Sequence, residues 1–159
     1  MFFGKEPAAY RLMILLLHMA ATWSLYRVAL AVLESEEAAF YAVSLYALSW
    51  IHWSLLIMVA NLPQAMSDAL FWSALALYVR PKRGNDWQGF WGCLLLASLA
   101  VLFKEHAVVF PIFALALACG KRPTKRLLSH GLIFGAWALL YLFCRFYLFN
   151  NPPDSAENY

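Results

Sequence analysis

Charged residues fall into short clusters along this chain, and the stretches between the clusters are almost purely apolar. Over 159 residues, 64% are hydrophobic and only 13% charged, with a mean hydropathy of +0.63. A soluble domain carries about twice that share of charge. In water this composition would leave a greasy surface prone to aggregation. In a bilayer, lipid-facing positions are apolar by necessity, and the composition stops being a problem. The net charge of +3 is too small, and its basic residues too scattered, to suggest a nucleic-acid partner. Cys93, Cys119 and Cys144 all lie in apolar runs, an odd set that fits neither a disulfide framework nor a zinc site.

A helix needs about 20 residues to cross some 30 Å of hydrocarbon. Bounded by charges, Pro and Gly, the apolar segments are 8–33, 38–60, 68–79, 87–103, 106–119 and 127–149. The first lacks a basic leader and continues through Leu33, so it reads as a retained span and not as a cleaved signal. Asn61-Leu62-Pro63-Gln64 breaks the second run from the third, and Ser67-Asp68 is a plausible N-cap for the third helix. The expected fold is all-α: a polytopic integral membrane bundle of about six transmembrane helices in one domain, 1–149, followed by a polar tail, 150–159. The third and fifth segments are short for a crossing. Polar flanks must extend them, or turns near 61–67 and 104–106 are sunk into the membrane against protein or a wet cavity.

Lys and Arg set the expected orientation. Arg27, Arg80, Lys82, Arg83, Lys121, Arg122, Lys125 and Arg126 fall on one side, and Lys5, Arg11, Lys104 and Arg145 on the other. The richer side belongs in the cytoplasm, which puts both termini outside it. A bacterial inner membrane is the expected location.

Ionisable groups in apolar surroundings mark candidate sites, because burying them in lipid is costly. His18 lies mid-span, where a hydrogen bond to a neighbouring helix accounts for it. His130, at the cytoplasmic end of the sixth segment, suits the interface. His52, Asp68, Lys104, Glu105 and His106 all fall on the outer side. Such a set could hold a phosphate through Lys104, with His52 or His106 as donors, while Asp68 or Glu105 serves as a base or binds a cation. The bland alternatives are that Asp68 is only a cap and that Lys104 and Glu105 snorkel. No metal-ligand spacing, Gly-rich phosphate loop or nucleophile elbow is present.

Read in order, these pieces resemble the membrane core of GT-C glycosyltransferases, closest to the polyprenyl-phosphate-sugar-dependent, tetratricopeptide-type mannosyltransferase-like proteins. The resemblance rests on the string from Tyr10 through Leu15-Leu16-Leu17-His18, on His52 followed by Ser67-Asp68, and on Phe103-Lys104-Glu105-His106 running into Val108-Val109-Phe110-Pro111. It covers roughly Gly4 to Phe149. Departures are Ile14 in place of an Asn, Trp53 in place of the Pro after His52, and Ala65-Met66 near the place of a Gly-Arg pair. The resemblance implies a catalytic acid in a first outer loop preceded by another helix. The chain starts where that loop would end, so both are expected to be missing.

Three functions follow as expectations. The first is a non-catalytic integral membrane subunit, derived from a GT-C-like bundle, that packs against and stabilises a larger membrane complex. The second is a glycosyltransferase-like enzyme using a polyprenyl-phosphate-linked sugar on the outer side, with Asp68 or Glu105 as its base. The third is a cofactor- or pigment-binding subunit of an energy-converting complex, through His18 or His130. The first is favoured, and the expected partners are the lipid bilayer, other integral membrane proteins and a polyprenyl phosphate lipid.

Overall fold

A computed structural model describes residues 7–49, 58–80, 87–119 and 124–148. Every regular element among them is helical: α1 Pro7–Leu33, α2 Glu36–Ala47, α3 Leu62–Val79, α4 Trp87–Phe103, α5 Phe110–Ala118 and α6 Thr124–Phe143. Short 3-10 turns, Val59–Asn61 and Glu105–Val109, lead into α3 and α5, and one wide π turn, Cys144–Leu148, continues α6. Two helical stretches, Pro7–Leu33 and Lys125–Tyr147, are long and apolar enough to cross a membrane, whereas Trp87–Phe103 and Glu105–Ala118 are apolar but shorter.

The turn between α1 and α2 uses the acidic cluster. Glu34 adopts a left-handed backbone (φ 55), which ends α1, and its N–H still reaches Leu30 O at 3.1 Å. Ser35 then caps α2 by accepting from Ala38 N, while Glu36 and Glu37 sit in the first turn, where the helix dipole favours negative charge. α2 ends at Ala47, although the apolar run of the sequence continues to 60. Residues 50–57, His52 among them, lie outside the described residues, as does the tail 150–159.

The third helix corrects the sequence reading. It begins at Leu62 and not at Asp68, because Pro63 sits in its first turn, where a missing N–H costs nothing. Asp68 is therefore inside the helix and caps nothing. The extension lengthens α3 to 18 residues, about 27 Å. The fifth segment differs in the other direction: its first five residues, Glu105–Val109, form a 3-10 turn, and the α-helix starts at Phe110.

α3 is the centre of the packing and touches α1, α4 and α5. Its contact with α4 is close because the facing residues are small. Ala74, Ala97 and Ala100 have no exposure, and a Cβ on Gly92 would come within 3.0 Å of the Leu77 side chain. α1 buries only Ile14, Ala21 and Val28, a line one residue wide at every second turn, and turns Leu12, Leu16, Met19 and Trp23 outward. A helix that is apolar all round but buried along one line is suited to lipid or to another apolar partner. Single polar contacts tie the helices together: Ser24 Oγ to Ser73 Oγ (3.0 Å), Ser67 Oγ donating to Ala100 O (3.0 Å), and Trp137 Nε1 donating to Ser98 Oγ (2.9 Å). Contacts of this kind hold helices together where burial of apolar surface no longer discriminates between lipid and protein.

Candidate functional site

Contacts between distant residues show that α3, α4, α5 and α6 run alternately up and down, so the bundle has two distinct ends. At one end the start of α3, the turn after α4 and the end of α6 converge. At the other, Tyr78, Phe90, Trp87 and His130 pack together from the end of α3 and the starts of α4 and α6.

The first end is polar. Gln64 and Asp68 lie four residues apart on α3 and so share a face. Gln64 Nε2 donates to Asp68 Oδ1 at 2.9 Å. His106 Nε2, from the turn before α5, lies 3.1 Å from the same oxygen and 3.4 Å from Gln64 Nε2. The Asp68 side chain is 17% exposed and that of His106 43%, so the carboxylate sits beneath an accessible imidazole. Next along the turn, Glu105 Oε1 accepts from Arg145 Nη2 across to the π turn of α6. Lys104, Glu105, Tyr141, Cys144 and Arg145 line a cavity of about 470 Å³ together with the apolar Val101, Leu102 and Phe103. Two cations against one carboxylate give this cavity a net positive charge, suited to an anion such as a phosphate.

Asp68, Lys104, Glu105 and His106, all singled out in the sequence, thus stand at one end of the bundle. Gln64 and Arg145 belong with them and were not read as site residues. Gln64 was hidden by the supposed helix break at Pro63; once α3 starts at Leu62, its i, i+4 spacing to Asp68 is plain. Arg145 carried only its charge as a signal.

His130 lies inside the bundle. It is 1% exposed, with its ring stacked on Phe90 (centroids 4.2 Å apart) and Nδ1 3.2 Å from the Tyr78 hydroxyl. The partners that bury it come from α3 and α4, 40 or more residues earlier in the chain, so local sequence does not reveal them. His18 stacks on Tyr46 (centroids 5.9 Å apart), which in turn meets the edge of Trp72. It also lines an apolar groove of about 900 Å³ between α1 and α2. Among the described residues, no group of three His, Cys, Asp or Glu side chains converges.

A family model described as dolichyl-phosphate-mannose-protein mannosyltransferase matches residues 1–148. No curated protein and no solved structure matches the chain. The match spans nearly the whole sequence. The chain belongs to this family of GT-C-type mannosyltransferases and is a membrane protein of that class.

Proposed function

We propose that this member of the mannosyltransferase family works in sugar transfer from a polyprenyl phosphate donor as a non-catalytic membrane bundle, packed against another integral membrane protein. The observation that carries this reading is the state of the two candidate bases. A general base must present a carboxylate oxygen to the hydroxyl it deprotonates. Asp68 is largely covered, and its Oδ1 is engaged by both Gln64 and His106. Glu105 is paired with Arg145. Each acid is arranged to position its neighbours. The positive cavity beside Lys104 and Arg145 is the place for a lipid phosphate, and the outward apolar faces of α1 and α6 supply area for lipid and a partner. In this reading the polar end faces away from the cytoplasm, with both termini on that side.

Purification in mild detergent tests it: the chain should bring down a stoichiometric membrane protein, and a chain recovered alone and active counts against it.

Family membership favours a second reading, in which the bundle is itself catalytic. The Asp68–His106 pair would then be the base, with the carboxylate orienting the imidazole. Asp68→Ala and Glu105→Ala should abolish transfer if that is so, and unchanged transfer would dismiss it.

A further inference from the structure

We propose that the Glu105–Arg145 ion pair is an autoinhibitory contact, in which a carboxylate of the chain itself holds the guanidinium that a lipid phosphate needs in the cavity beside Lys104. The inference rests on the reading above, that this cavity takes a lipid phosphate, and adds how its occupancy is controlled.

Three charged side chains, Lys104, Glu105 and Arg145, wall the cavity, with Tyr141 and Cys144 beside them. A guanidinium grips a phosphate best by offering two parallel N–H donors. One terminal nitrogen of that fork, Arg145 Nη2, already donates to Glu105 Oε1. Carboxylate and phosphate oxygens seek the same donors, so the two compete for Arg145. Lys104, by contrast, has no carboxylate partner among the described residues. An arriving anion therefore meets one open cation and one that is covered.

Two features make the contact exchangeable. The side chains of Arg145 and Glu105 are 49% and 64% exposed, so each regains water when they part, and a pair of this kind is weak. The turn that carries Glu105 is also held independently, because the next residue, His106, reaches Asp68 on α3. The Glu105 side chain can swing away while the backbone beside Lys104 stays in place. Once displaced, its carboxylate is repelled by the bound anion and turns to solvent, so its release gives the cavity no base. Arg145 then completes a phosphate clamp with Lys104.

Binding of farnesyl phosphate to the full chain in mild nonionic detergent, followed by calorimetry with farnesol as the control, tests the contact. Glu105→Gln removes the charge, whereas Glu105→Asp keeps it and withdraws it from Arg145 by one methylene. Both should tighten farnesyl phosphate about two- to fivefold, the worth of an exposed pair. Arg145→Gln should weaken binding, and in that background Glu105→Asp should change nothing. Thermal melts confirm that each variant is folded. Inorganic phosphate, lacking the tail, should bind less tightly than farnesyl phosphate throughout, and equal binding would overturn the assignment to a lipid. If Glu105→Gln tightens binding while Glu105→Asp matches wild type, Glu105 is only a nearby negative charge and the autoinhibitory contact is overturned with the phosphate site intact. If no variant binds farnesyl phosphate better than farnesol, the cavity reading itself falls, and the contact with it.

Discussion

Asp68 and His130 show how a single residue's role depends on partners that lie far along the chain. Asp68 reads locally as a cap, yet Pro63 starts the helix two turns earlier and turns Asp68 toward His106. His130 reads locally only as a polar residue near a helix end, yet the rings of Tyr78, Trp87 and Phe90 and the Tyr78 hydroxyl enclose it. Removing that hydroxyl takes a hydrogen bond from a group that water cannot reach. Tyr78→Phe should lower stability by about 1 kcal/mol. Tyr41→Phe, at a position 60% exposed, should change it by less than about 0.5 kcal/mol. Thermal unfolding followed by circular dichroism in detergent compares the two, and equal effects would mean that the Tyr78–His130 contact contributes nothing.

At the scale of elements, charge-poor runs announce helices well, since apolar stretches of this length have few other ways to satisfy their backbone in lipid. α1 and α4 start and stop where the charges and breaks suggest. What such runs do not announce is which helices touch. The α3–α4 contact depends on small residues whose spacing is lost in a sequence rich in Ala throughout, and on the Ser67 hydroxyl that donates to Ala100 O. Ala100→Leu inserts three heavy atoms where no space exists and should destabilise the bundle by about 1–3 kcal/mol. Leu102→Ala, two residues on and 79% exposed, should have little effect by the same unfolding measurement. A larger loss at Leu102 than at Ala100 would place the contact on the wrong face of α4.

For the molecule as a whole, the alternation of α3 to α6 separates a polar end from an aromatic one, and the proposed orientation, with the polar end outside the cytoplasm, can be tested by labelling. With the three native cysteines replaced by serine, Lys104→Cys should react with a membrane-impermeant maleimide in intact cells. Arg80→Cys should react only after permeabilisation, and the reverse pattern would invert the orientation. The family was legible in the order of short motifs, whereas the pairing of each acid was not, because Arg145 meets Glu105 only once the bundle is assembled. The central proposal is that the pairing of Asp68 and Glu105 leaves neither of them, among the described residues, to serve as the base. Sugar release from a polyprenyl phosphate donor by the purified chain, alone and with its co-purified partner, tests that claim most directly. The account predicts no turnover by the chain alone and turnover by the complex that survives Asp68→Ala; turnover by the chain alone, lost in Asp68→Ala, would contradict it.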